Sequence, residues 1–350
     1  MAIYALWNNK GGVVKSYLTF QIASEYARTH PEKKILVIDL CPQANASGML
    51  LGGMERGDEA LDLLSTRTPR QTISGYIQDR IRSPYVSPRT GARFVTNVSQ
   101  QNSWVPTNLF LVAGDEQLEI QASVIRRATA PGPTDAWRIV HTWISDLIDD
   151  IQNSWNQENT TVFVDCNPSF AIYTELAMSA SDRLIIPFSA DGSSKRAVRA
   201  VLALLYGETR VPGSEQSEFF LNSTQFRLST PRIYCYVGNR LTQYIKSAKA
   251  FRTVVGEIGN EIWSVWRHNS NVFYVHPPGQ LPSARSAFTK MFQFEIVDAN
   301  TASVVSSSLG IPINRLAAGL YPIAGKRSMV NQSQLDKQQP NIKELVEAIE

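Results

Sequence analysis

The chain opens on an apolar run, Ile3 to Trp7. Comparable runs recur at 35–39, 109–112, 161–165, 183–188, 232–237 and 272–276. Each is short, nearly free of polar residues and bounded by turn-forming residues. This is how strands covered on both faces of a sheet read in sequence. Between them, apolar residues return at helical spacing, which predicts helices over 16–29, 115–128, 135–152, 171–180, 193–206, 246–263 and 341–349. The stretch 135–152 is the clearest, with Trp137, Val140, Trp143, Ile144, Leu147, Ile148 and Ile151 on one stripe and Thr134 or Asp135 able to cap it. Strand alternating with helix predicts an α/β fold: a doubly wound, mainly parallel sheet with helices on both faces.

Residues 53–108 break this rhythm. Gly, Pro, Arg, Ser and Asn are frequent there, and the segment reads as an irregular insertion after the second strand. The stretch from Gly207 to Thr230 reads as a surface loop, and 325–340 as a loose polar arm before a last short helix. We expect one domain over 1–350 carrying that insertion and a C-terminal arm at about 325–350.

Composition narrows the class only modestly. With 34 Lys and Arg against 31 Asp and Glu, the net charge of +3 permits contact with nucleic acid without requiring it. The three cysteines, Cys41, Cys166 and Cys235, show no CxxC or Cys/His metal spacing, which fits a reduced, cytoplasmic setting. The chain enters its first strand directly, without a signal-type leader, and has no apolar run long enough to span a membrane.

The chemistry concentrates where strands end. After the first strand comes Asn8-Asn9-Lys10-Gly11-Gly12-Val13-Val14-Lys15-Ser16, and then a helix. A strand, a Gly-rich turn and a helix opened by Lys-Ser make a phosphate cradle. Backbone N–H groups from Gly11 through Tyr17 face an anion, Lys15 reaches the β/γ-phosphates, and the Ser16 hydroxyl takes Mg²⁺. A lysine at a helix N-terminus is otherwise poorly placed electrostatically. Two further apolar runs end in acids, at Asp39 and Asp165, where ligand groups collect in open α/β sheets.

These segments resemble the ParA/MinD family of ATPases with a deviant Walker A loop, as in K-G-G-x-G-K-[ST]. Asp39-Leu40-Cys41-Pro42-Gln43-Ala44-Asn45 resembles the family's D-x-D-P-Q-x-N segment, and Asp165-Cys166-Asn167-Pro168-Ser169 resembles its D-x-P-P-S. The resemblance implies ATP or ADP with Mg²⁺, the cation held by Ser16, Asp39 and Asp165. It implies that Lys10 acts across an ATP-dependent homodimer on the partner's nucleotide; an exposed loop lysine is the alternative. Asn239 resembles the residue reading the adenine edge, or else is a turn asparagine, and Pro282 would pack on the base. Family members bind DNA non-specifically and are stimulated by a partner protein. Lys246, Lys249, Arg252 and Arg267 are the basic candidates for phosphate contact, although any one of them reads first as part of a solvated helix face.

Two departures fall at the reacting centre. Val14 occupies a glycine position, where a β-branched side chain resists positive φ and takes up space beside the phosphates. Cys41 stands where the family has the aspartate that orients the attacking water, and a neutral thiol is a poor acceptor. The expected function is a ParA-like, nucleotide-dependent dimerisation switch in DNA or cargo partitioning, with weakened hydrolysis at a catalytic set of Lys10, Lys15, Asp39 and Cys41. The alternative is a non-hydrolysing nucleotide sensor or scaffold in a multiprotein mobile-element or defence assembly. A metabolic ligase is a third reading, without an obvious substrate pocket in the sequence.

Overall fold

The structure, a computed structural model, describes the chain apart from residues 131, 190, 210–212 and 242–244 and the side chains of 240–251. Lys246 and Lys249 therefore lie outside the described side chains. Strands β1 (Ala2–Leu6), β2 (Lys34–Leu40), β3 (Thr96–Asn97), β4 (Leu109–Val112), β5 (Thr160–Cys166), β6 (Arg183–Phe188), β7 (Arg232–Leu241) and β8 (Gln293–Val297) form one sheet. Its order is β3-β4-β2-β5-β1-β6-β7-β8, and every neighbouring pair is parallel except the short edge pair β3–β4.

The sheet is buried on both faces because its central strands are apolar at successive positions. Leu36, Ile38, Leu40, Val162 and Val164 enter one helical layer, while Ile35, Val37 and Phe163 enter the other. Each such side chain contributes about 1.5–3 kcal/mol by leaving water. Because β1 lies between β5 and β6, the chain crosses β5 on its way to β2. The loops after β1, β2 and β5 therefore emerge side by side at the C-terminal edge of the sheet, where such folds place ligands.

Several expectations are corrected. The run at 272–276 is not a sheet strand: it is a 3-10 turn, Ser270–Val272, followed by an isolated bridge from Phe273 to Ile233. Its apolar character serves packing, since Phe273 meets Trp266, Phe288 and Phe292. The eighth place goes to the more polar β8. Its end is covered by side chains of a later helix, with Val297 N donating to Asn341 Oδ1 and Gln338 Nε2 donating to the Val297 carbonyl.

The region 53–108 is largely ordered into helices, Met54–Thr66 and Ile73–Arg82, with 3-10 turns and β3. Ile73, Tyr76 and Ile77, spaced as one helical face, are fully buried. Helix Glu218–Gln225 sits inside the predicted 207–230 loop. The expected arm is a hairpin, β9 (Gly319–Ile323) with β10 (Lys326–Val330), and then a helix, Gln332–Glu347, that contains Pro340 and buries Leu335, Ile342, Leu345 and Val346. The predicted helix over 135–152 is two, Ala136–His141 and Trp143–Ser154. They divide at Thr142, whose hydroxyl donates to the Ile139 carbonyl 2.8 Å away.

Candidate functional site

The loop leaving β1 delivers its polar groups to helix Lys15–Thr29 through two left-handed residues, Gly12 (φ +76°) and Val14 (φ +60°). An added Cβ at Gly11 or Gly12 would meet nothing within 4 Å, so the backbone of this turn faces open space. From behind, the buried Asn239 amide donates to the carbonyls of Val13 (3.1 Å) and Val14 (3.3 Å). Val14 is the helix N-cap residue, and it has no side-chain capping bond. A left-handed L-residue carries about 1–2 kcal/mol of strain, more readily tolerated by Gly. Val14→Gly is therefore expected to stabilise the protein by a net ~0.5–1 kcal/mol once the greater freedom of the unfolded glycine chain is subtracted. Chemical denaturation checks this, and a loss of stability would contradict it.

Lys15 is only 6% exposed, and its single hydrogen bond among the described residues goes from Nζ to the Lys10 carbonyl at 3.2 Å. Burial pushes its ammonium below the ordinary lysine value, with Asp165 opposing. This buried cation, beside an open turn of backbone N–H groups, has one neutral hydrogen-bond acceptor and no ion pair among the described residues, Asp165 acting on it only from a distance. Ser16 Oγ donates to Asp165 Oδ2 at 2.6 Å, and Thr19, one helical turn on, donates to Asp165 Oδ1 at 3.1 Å.

Asp39 and Asp165 stand opposite each other on β2 and β5, both fully buried. Asp39 organises the next loop, accepting from Cys41 N (3.0 Å), Ser47 N (3.0 Å) and Ser47 Oγ (2.8 Å). Burial raises Asp165 to about 7, helped by the charge of Asp39, and raises Asp39 to about 6 against the Ser47 and Cys41 hydrogen bonds. Both carboxyls therefore lie above the ordinary carboxylate range, because burial and their mutual repulsion disfavour two charges. Cys41 is buried, and burial lifts its thiol to about 12, so it is neutral.

Gly11, Gly12, Val14, Lys15, Ser16 and Tyr17 form one side of a cleft of about 740 Å³, whereas Asp39 and Asp165 are fully buried and are not among its walls. Cys41 and Cys166 line its floor, and Met49, Met54, Leu61 and Ser308 continue it away from the loop. Among the described residues no cluster of three or more His, Cys, Asp or Glu makes a metal cage by itself. A hard cation at Ser16, Asp39 and Asp165 would complete its shell with phosphate oxygens and water. The donors that line the cleft fit a phosphate chain: open backbone N–H groups, one buried ammonium and one hydroxyl, with Asp165 joined to that hydroxyl from inside the fold.

Lys10 is not in the cleft wall. Its ammonium is ion-paired with Asp191 and donates to Ser189 Oγ (3.1 Å) and Ser194 Oγ (3.2 Å). Burial works against ionisation of Asp191, but hydrogen bonds from Lys10, Ser189 and Ser193 hold it well below the usual carboxylate range. Asn239 supports the loop in this conformation, and Pro282 is buried and is not among the walls of this cleft. Tyr17 borders the cleft, but its hydroxyl donates to Gln338 Oε1 at 2.6 Å, tying the last helix to the first. Thr19, Ser47 and Gln338 escaped the sequence reading, while Asp191, which resembles part of the family's loop after the next strand, carried no assigned chemistry. Only Thr19, at helical spacing from Ser16, carried a local signal.

The fold is that of a P-loop α/β protein. A family model described as an AAA domain matches residues 1–206, and the chain belongs to that ParA/MinD-like ATPase family. Two uncharacterized proteins of Pseudomonas putida are each 26% identical over 193 residues, 54% of this chain, and the chain spans 56% of their length. Apo McdA of Cyanothece shares the fold at TM-score 0.58 and 14% identity, covering 98% of both chains. An ATP complex of a Cyanothece McdA variant reaches 0.59 at 13% identity, covering 100% of this chain and 96% of that one. The ParA called pnob8 reaches 0.50 at 13%, covering 83% and 80%. Among the described residues no helix is long and apolar enough to cross a membrane.

Proposed function

We propose that this chain binds Mg²⁺·ATP in the Lys15–Ser16 cleft and acts as a ParA-type, nucleotide-dependent dimerisation switch in the positioning of DNA or cargo. The observation that carries the reading is Lys15, a buried cation without an ion pair among the described residues, at the mouth of an open backbone turn. Its natural complement is a polyphosphate. In this reading Lys10 is parked on its own Asp191 loop and is exchanged for a second copy's nucleotide when two copies close. The cytoplasm is the setting, with non-specific DNA and an activating protein as further partners. Cys41 and Val14 make intrinsic turnover slow: the thiol cannot hold a water as a carboxylate does, and Val14 crowds the loop.

The neutral Cys41 equally supports a second reading, a nucleotide sensor that binds and does not hydrolyse. Turnover measurements separate the two. Val14→Gly with Cys41→Asp is expected to raise ATP hydrolysis, in the presence of DNA, by more than the two single changes combined, since both lie in one site. Phosphate release that stays at background in the double variant, with ATP bound, would favour the sensor.

A further inference from the structure

Beside the cleft lies a second groove of about 510 Å³. Its walls include Met54, Glu55 and Arg56 on one side and Pro322 to Gly325 of the hairpin turn on the other, rimmed by Trp104. Met54 and Ser308 line both cavities, so whatever closes over the cleft also meets this groove.

The two banks are chemically opposite. Helix Met54–Thr66 presents Glu55, Asp58, Glu59 and Asp62, all exposed, at spacings of three and four that put them on one face. Like charges so spaced repel one another along a helix. None of the four has an ion-pair partner among the described residues. The same helix exposes Met54 (58%) and Leu63 (54%). Across the groove, the β9–β10 register sets Leu320 opposite Met329 and Pro322 opposite Arg327. Strand alternation puts these four on one face, and all are exposed, whereas Val330 on the opposite face is buried. Arg327 has no ion-pair partner among the described residues either. Helix Met54–Thr66 therefore carries four exposed carboxylates against one exposed cation, Arg56, while the outward face of the hairpin carries Leu320, Pro322 and Met329 with one cation, Arg327.

We propose that this face is a self-complementary dimer contact: the outward face of the β9–β10 hairpin of one copy docks on helix Met54–Thr66 of a second copy. Two-fold symmetry makes the contact twice, each hairpin meeting the other copy's helix. Arg327 enters among Glu55, Glu59 and Asp62, while Leu320 and Met329 meet Met54. Charges so placed set register and rate of association more than they add affinity. The inference rests on the nucleotide-dependent dimer proposed above and assigns surfaces to it outside the nucleotide cleft.

The test uses the full chain with Mg²⁺·ATP at low ionic strength, followed by sedimentation velocity. Arg327→Glu alone, and Glu55→Arg with Glu59→Arg, are each expected to weaken dimerisation about tenfold or more, while calorimetric ATP affinity of the monomer stays at the parental value. The two variants mixed are expected to form a heterodimer of parental strength. In that pair, one contact carries reversed charges and the other carries the original ones. A parent that dimerises with ATP while both variants dimerise equally well, or while the mixture is not rescued, overturns this contact and leaves the switch standing. A parent that binds ATP yet stays monomeric overturns the dimer itself.

Discussion

Lys15→Ala is expected to remove measurable Mg²⁺·ATP binding, with the dissociation constant rising at least about 100-fold, or ~3 kcal/mol, the scale of a charge-assisted bond to phosphate with its buried partner lost. Isothermal titration calorimetry reads this directly. The fold should survive, because the change deletes a buried cation whose only described hydrogen bond goes to a backbone carbonyl. A thermal melt of the nucleotide-free variant separates lost binding from lost structure. Parental affinity in a folded Lys15→Ala protein would remove the phosphate-site assignment altogether.

Asp165→Asn is expected to act in opposite directions on stability and on binding. Burial, then the charge of Asp39, raises Asp165 from 3.8 to about 7. A carboxyl with a raised folded pKa holds its proton more tightly folded than unfolded. Its contribution is therefore full below the unfolded value and is lost as pH rises through the folded one. In the absence of nucleotide and Mg²⁺, the Asp39–Asp165 pair should make the parent lose stability between about pH 4 and 7–8. Asp165→Asn should flatten that slope and leave the variant about 1–3 kcal/mol more stable at pH 8, after allowing for weakened bonds from Ser16 and Thr19. The same change should abolish Mg²⁺-dependent nucleotide binding, a trade of function against stability at a site that keeps two carboxylates together. Denaturant titrations across this pH range, with and without Mg²⁺·ATP, check both halves. A variant less stable than its parent at pH 8 would contradict the buried-pair account.

Which parts of the molecule were legible beforehand follows from how local their causes are. The strands at 35–39 and 161–165 were readable because continuous Ile, Leu and Val can only mean burial on both faces, and the structure places them side by side as β2 and β5. Ser16 and Asp165 sat at readable places, a helix start and a strand end, and the structure brings them to 2.6 Å. The helices at Met54–Thr66 and Ile73–Arg82 were hidden by frequent Gly, Pro, Arg and Ser nearby. Their polar groups are satisfied by distant partners, as when Arg70 and Thr72 converge on Asp115. The last helix was shortened by Pro340, a residue that normally stops one, yet its buried face of Leu335, Ile342 and Leu345 outweighs the missing bond.

By itself, then, the sequence determined the layered α/β architecture and the order of its motifs along the chain. These depend on short-range pattern: apolar runs, helical spacing, and Lys-Ser after glycine. Tertiary structure alone decided where the side chains of those motifs point. It turned Asn239 onto the back of the first loop, parked Lys10 on Asp191, forced Val14 into the left-handed region and set Asp39 opposite Asp165 in a buried position that raises both carboxyls. The physical reason is that each of these depends on a neighbour far away in the chain, and on burial that strengthens charge interactions only once the sheet has assembled around them.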